Sequence, residues 1–249
     1  MTGPGPAAQR FVQALDQLPP PELRGPEMLA VRLSRACLTA LPVDGAGLSI
    51  HDHDGLRTPI GASDPTTALA ERLQFTHGAG PALRAHDGGA AIAFDPADIA
   101  RNWPELHSAL VGETPFSAVL SVPLLPPLGP LVVLDLYVRD ARALPATDRE
   151  DVADVTIALT RAMVAAALGA PVEDGARGWW DGPDALRRAR VWQATGMVNV
   201  AFGLDTADAL AVLKAHAFAG DRVVDDVADD LVTGRLSLDE LRPAADTDR

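Results

Sequence analysis

Cysteine is almost absent from this chain. A single thiol, Cys37, stands among 249 residues, which excludes an internal disulfide and a cysteine-rich zinc site. Its apolar surroundings, Val31 to Leu41, read as a buried small hydrophobe rather than a reactive group. Aromatic residues make up only 4%, so few rings are on offer as stacking surfaces. The only lysine is Lys214, which rules out a Walker-type phosphate loop. Positive charge in general is scarce, with 21 basic against 34 acidic residues and a net charge of −13. That balance argues against non-specific binding to nucleic acid or anionic membranes, yet leaves room for a local basic face. Long uninterrupted apolar runs are also missing. The most hydrophobic stretch, Val152 to Leu168, is broken by Asp154 and Arg161 and does not read as a membrane span. Met1 to Arg10 lacks the basic and apolar regions of a secretory signal. The expected location is cytoplasmic, without a membrane partner.

What is present is apolar filling, 47% of the chain, enough for a core. Residues 1–26 read as a Gly- and Pro-rich tail and a short helix carrying Phe11, Leu15 and Leu18. A helix from Glu27 to Leu41 follows. Period-two alternation in Ala46 to His51 marks a strand, Asp52 to Gly55 a solvated turn, and Leu56 to Gly61 its hairpin partner. Pro65 to Phe75 and Asp98 to Val111 read as helices, with a short apolar strand at Gly89 to Phe94 between them. Phe116 to Leu125 and Leu131 to Val138 are joined by a Pro- and Gly-rich link and should pair as antiparallel neighbours, with Pro123 at an edge or bulge. Thr147 is placed as the cap of a helix to Leu168. Together, 27–168 predict an α+β domain, a central antiparallel sheet flanked by helices. Residues 169–183, with Trp179 and Trp180, read as a linker. Three short helices then occupy 184–236, with a tail at 237–249.

Enzyme motifs fail one by one, and no catalytic residue is assigned. Gly78-Ala79-Gly80-Pro81 lacks the strand-turn-helix frame of a dinucleotide loop. His51-Asp52-His53-Asp54 reads as a solvated turn, not a metal cluster. His77, His86 and His107 have no metalloprotease spacing, and no nucleophile elbow surrounds Ser121, which reads as structural. The acidic pairs Asp225-Asp226 and Asp229-Asp230 read as an outer, solubilising helix face. No cofactor or metal is expected.

Two sets of residues carry a family resemblance. Gly47-Leu48-Ser49-Ile50, Leu73-Gln74-Phe75 before Gly78-Ala79-Gly80-Pro81, Pro115 to Val119, Ser121-Val122-Pro123-Leu124 and Leu134-Asp135-Leu136-Tyr137 resemble the GAF domains of actinobacterial regulators. Arg190 to Val198, Ala209-Leu210, Leu213 to Ala217 and Val227-Ala228 are similar to the ANTAR domain, a three-helix RNA-binding module of transcription antitermination regulators. The resemblance implies a GAF-like sensor followed by a small all-α ANTAR-like output domain. It further implies an RNA stem-loop as partner and a homodimer, with the sensor taking either an unidentified small molecule or nothing small. Residue by residue, it implies an RNA-facing set of Arg187, Arg190, Gln193, Ala194, Thr195, Gly196, Lys214, Ala217 and Phe218. The family's Ala-Lys-Gly run appears here as Ala194-Thr195-Gly196, with the lysine lost. Lys214 stands at the family's arginine position and keeps the charge.

Two readings remain open at this point. One is a signal-responsive RNA-binding antiterminator. The other is a dimeric interaction or ligand-sensing protein whose ANTAR-like region has lost RNA binding. A third, reduction of free methionine sulfoxide, needs several cysteines, and Cys37 alone cannot form the required disulfide. Any sensor pocket is expected between the central strands and the segments Ala62 to Gly80 and Ala90 to Trp103.

Overall fold

The computed structural model describes residues 5–51, 57–146, 148–169 and 178–242. The chain divides into two compact units, Met1–Ala185 and Leu186–Arg249.

The first unit is α+β, as expected from the mixed order of strands and helices. Its strands are β1 (Gly45–His51), β2 (Arg57–Ala62), β3 (Ile92–Phe94), β4 (Ala118–Pro123) and β5 (Val132–Val138). They form one sheet in the order β2-β1-β5-β4-β3, antiparallel at every seam. The expected pairing of β4 with β5 runs from Ala118↔Val138 to Pro123↔Val133. Pro123 has no N–H to donate, and it lies past the last β3 partner, Ile92↔Ser121, where that side of β4 is an edge. The solvated turn expected at Asp52 to Gly55 lies outside the described residues.

Helices cover both faces of this sheet. They are α1 (Pro6–Asp16), α2 (Leu29–Ala40), α3 (Pro65–His77), α4 (Pro81–Gly88), α5 (Pro96–Asn102), α6 (Pro104–Glu113) and α7 (Arg149–Leu168). On one face, Leu48, Ile60, Val122, Leu134 and Leu136 meet Phe11 of α1, Leu33 and Cys37 of α2, and Val155, Leu159 and Met163 of α7. Full burial of each large side chain contributes about 1.5–3 kcal/mol. On the other face α3 packs on β1 and β2, and α4 on β4 and β5. The period of two therefore separates an apolar face from one that carries Gly45, Gly47, Ser49 and His51 of β1.

Several boundaries differ from the sequence reading for identifiable reasons. Asp98 to Val111 is not one helix. Pro104 disfavours the helical region for the residue before it, so Trp103 (φ −144°, ψ 71°) separates α5 from α6, and its ring lies edge-on to Phe94 at 5.2 Å. The cap of α7 is Asp148, which accepts from the Glu150 N–H at 2.8 Å, while Thr147 lies outside the described residues. Residues 1–26 read as a tail and short helix outside the α+β domain, yet α1 buries Ala7 and Phe11 in that domain's core. Trp179, assigned to a linker, joins the same core. Residues 170–177 of that linker lie outside the described residues, as does the tail from 243 onward.

The second unit holds three helices at the expected places. They are α8 (Pro183–Phe202, entering the unit at Leu186), α9 (Thr206–Ala219) and α10 (Val224–Val232). Gly203, at φ +67°, ends α8 in the left-handed conformation that glycine tolerates. Asp205 then caps α9 by accepting from the Asp208 N–H, and the chain turns by 107° between the two helices. Val191, Val198, Leu213, Val224, Val227 and Leu231 fill the interior. Among the described residues, no single helix is long and apolar enough to cross a membrane.

Gly61 tests the first unit's packing. A Cβ there would sit 2.5 Å from the Ala30 carbonyl carbon, so α2 lies backbone-close on β2. Gly61→Ala is expected to destabilise the unit by about 1–3 kcal/mol through forced displacement of α2, measured by urea unfolding.

Candidate functional site

The face of the sheet beneath α3 and α4 is hollowed by small residues and refilled with polar ones. A Cβ on Gly47 would stand 2.5 Å from the Glu71 carboxyl carbon, and one on Gly45 would meet Thr67 and Phe116. Glu71 and Gln74, one turn apart on α3, occupy this space. Register brings Asp135 of β5 opposite both Gly47 of β1 and Ser121 of β4. Arg57, the first residue of β2, reaches in alongside.

These groups form one buried network. The Arg57 guanidinium donates through Nη2 to Glu71 Oε2 and, at 3.1 Å, to Asp135 Oδ2, and through Nη1 to the Glu71 carbonyl at 2.6 Å. Gln74 Nε2 donates to Asp135 Oδ2 at 2.9 Å and to the Tyr137 hydroxyl at 2.6 Å. The Tyr137 hydroxyl donates to Glu71 Oε1 at 2.7 Å, and Ser121 Oγ to Asp135 Oδ1 at 2.5 Å. Gln74 Oε1 accepts from the Ala82 N–H, which ties α4 to α3. The carboxylates of Glu71 and Asp135 are 1% exposed and the Arg57 side chain 6%.

Burial and like charge set the electrostatics. Burial pushes the Glu71 carboxyl up to about 8; Arg57 pulls against this, and Asp135 adds to it. Burial opposes the Arg57 cation, but Glu71 and Asp135 outweigh it and hold the group above its usual value. Tyr137 is pushed well above the ordinary phenol range by burial and by the two carboxylates. His51 corrects the sequence reading of a solvated turn. It is fully buried, because alternation puts it on the face of Gly47 and Ser49. Its ring stacks on His86 at 4.7 Å, and its Nε2 is 3.1 Å from Ser49 Oγ. Burial, with Arg57 and His86 beside it, lowers His51 to about 2, so it stays neutral. Asp52, His53 and Asp54 lie outside the described residues, and among the described residues no group of three metal-ligating side chains forms.

Side chains thus occupy the space between the central strands and Ala62 to Gly80, where a pocket was expected. An open cleft of 1460 Å³ lies on the opposite face, between β4, the first half of α7 and residues from Gly89 to Asp98, so of the two expected borders Ala90 to Trp103 lines a cleft and Ala62 to Gly80 does not. Leu120, Val122, Leu124, Val152 and Ile157 line it, with Arg142 and Arg149 at the rim.

The second unit holds the residues singled out from the sequence. Arg187, Arg190, Gln193, Gly196 and Phe218 are exposed. Ala194 and Ala217 are fully buried, and Thr195 is nearly so, its hydroxyl donating to the Val191 carbonyl at 2.8 Å. Lys214 is half-buried and is lowered to about 8 by burial and by Arg188. The structure therefore divides the nine between a surface and an interior. It also corrects the reading of the acidic pairs. Asp225 is buried, paired with the equally buried Arg188 at 3.5 Å. Asp226 faces Arg187 at 4.0 Å, and Asp229 binds both Arg190 and Arg235. One helix supplies aspartates to the arginines of another.

Sequence reasoning missed the polar network. Its one local sign was Asp135, a lone carboxylate in the otherwise apolar strand Leu131 to Val138. Arg57, Glu71 and Gln74 gave no sign, since only tertiary packing brings them together.

Among solved structures, the chain is similar to the GAF domain from a phosphoenolpyruvate-protein phosphotransferase of Coxiella burnetii. The two are 17% identical with a TM-score of 0.45, over 65% of this chain and 93% of that one. No family model matches the chain, and no curated protein matches it.

Arg188→Met leaves the buried Asp225 carboxylate without its cation. A loss of about 3–5 kcal/mol is expected, whereas Arg188→Met with Asp225→Leu recovers most of it. Chemical unfolding of the three proteins measures both effects.

Proposed function

We propose that the chain is a signal-responsive regulator. In this reading the α+β unit is a GAF-like sensor, and the helical unit is an ANTAR-like output module that binds an RNA stem-loop and so controls transcription termination. One observation carries it. Gly196 lies in the middle of α8, exposed, and a Cβ there would find nothing within 4 Å. A glycine at such a position costs about 1 kcal/mol against alanine, and no packing among the described residues uses its small size. Close approach of a partner's backbone would use it. Gln193 and Arg190 stand within two turns of Gly196, exposed, with Arg187 beyond them.

Charge supports an RNA partner only locally. Residues 186–242 hold seven basic and nine acidic side chains. Exposed ion pairs are worth about 0–1 kcal/mol, so phosphate can draw Arg190 and Arg187 from their aspartates. Asp229 keeps Arg235 when Arg190 leaves. Phe218, exposed on α9, offers a ring on which an unpaired base can stack. In this reading Ala194, Thr195 and Ala217 act through packing, not contact.

A second reading is favoured by a different feature of α8. Leu186, Ala189, Gln193, Gly196 and Val200 recur at alternating spacings of three and four, and all are exposed. This is the seam pattern of paired helices, and it fits a dimer whose output region does not bind RNA.

Titration of the full chain with a two-hairpin RNA at several salt concentrations separates the readings. Two or three phosphate contacts predict a log–log salt slope of about −1.4 to −2. Gly196→Ala should abolish binding while stabilising the helical unit by about 1 kcal/mol. Absence of binding at low salt, with a dimer in sedimentation that Val200→Glu dissolves, leaves the second reading.

A further inference from the structure

The polar interior beneath α3 has an unequal charge count. Among the described residues Arg57 from β2 is the one cation there, and Glu71 from α3 and Asp135 from β5 both bind its Nη2. The other groups facing them are neutral donors: Gln74 from α3, Tyr137 from β5 and Ser121 from β4. β1 contributes Gly47, Ser49 and His51, and α4 contributes His86 stacked on His51. His51 supplies no second positive charge, because burial keeps it neutral. All three charged side chains are sealed from water. An uncompensated charge in such a place costs several kcal/mol, and two carboxylates that share one partner cannot both ionise cheaply.

We propose that this interior is a proton-binding site, in which Glu71 carries one proton toward Asp135 and Asp135 remains the anion. Donor counts assign the two roles. Asp135 accepts from Ser121, Arg57 and Gln74, three donors that stabilise its charge. Glu71 accepts from Tyr137 and Arg57 only at its carboxyl. With the proton in place the cluster is neutral. Without it, a net negative charge lies between the sheet and α3. The upward displacement of Glu71 to about 8 agrees with this arrangement. Because the folded value lies above the unfolded one, the contribution is full below the unfolded value of 4.5. It then declines as pH rises and is gone above about 8.

Two measurements on the full chain test the site. Carbon-13 NMR of carboxyl-labelled glutamate should show one glutamate titrating near 8, about nine-tenths protonated at neutral pH, whose signal is absent in Glu71→Gln. Glutamine removes the ionisable carboxyl and keeps one acceptor oxygen for Arg57, while its amide faces the Tyr137 hydroxyl, which can accept, so this variant should fold. Denaturant unfolding, followed by amide exchange in β1 and β5, gives the second readout. Relative to Glu71→Gln, the folding constant of the unsubstituted chain should fall about tenfold per pH unit between pH 5.5 and 7.5. A Glu71 carboxyl already ionised at pH 6, equal slopes for the two proteins, or a Glu71→Gln chain that does not fold would each overturn the proposal.

Discussion

The Arg57 guanidinium is the group around which the polar side of the α+β unit is assembled. It touches a strand carboxylate, a helix carboxyl and a helix carbonyl at once, so β2, β5 and α3 are held by one side chain. The glycines of β1 make this possible, since a side chain at Gly47 would occupy the place of the Glu71 carboxyl. A sheet whose two faces were both apolar would hold α3 by area alone. Here the apolar face provides non-directional burial under α1, α2 and α7, and the polar face adds directional bonds that fix where α3 sits.

The helical unit repeats the device on a smaller scale. Arg188 of α8 is buried against Asp225 of α10, and the neighbouring arginines meet the neighbouring aspartates nearer the surface. The buried pair is costly to break and is structural. The outer pairs are cheap to exchange, which leaves the surface of α8 adaptable. The same helix thus presents a packed side, made by Val191, Ala194, Thr195 and Val198, and an open one centred on Gln193 and Gly196.

Much of the secondary structure was legible because its causes are local. Alternation in β1, the paired apolar strands β4 and β5, Gly203 after α8 and the Asp205 cap of α9 all act over a few residues. Proline was under-read at one place, where Pro104 divided an expected helix at Trp103. Burial of charged groups was under-read more seriously. His51, Asp225 and Arg188 look like surface residues by type, and the prior that such residues face water is ordinarily sound. Each is overruled by a partner far away in sequence or by the face on which its strand places it.

The amino-acid order alone determined that this chain is an α+β unit followed by three helices, that it forms no internal disulfide, and where most helices begin and end. Those features depend on periodicity, capping and residue count, which act between neighbours. Tertiary structure alone decided that α1 and Trp179 belong to the core of the α+β unit, that Glu71, Asp135 and Arg57 share one sealed interior, and that Ala194, Thr195 and Ala217 face inward while Gly196 faces out. Register and packing set those outcomes by joining residues far apart in the chain, Arg57 and Asp135 being 78 positions apart, and no short window along the sequence contains both partners.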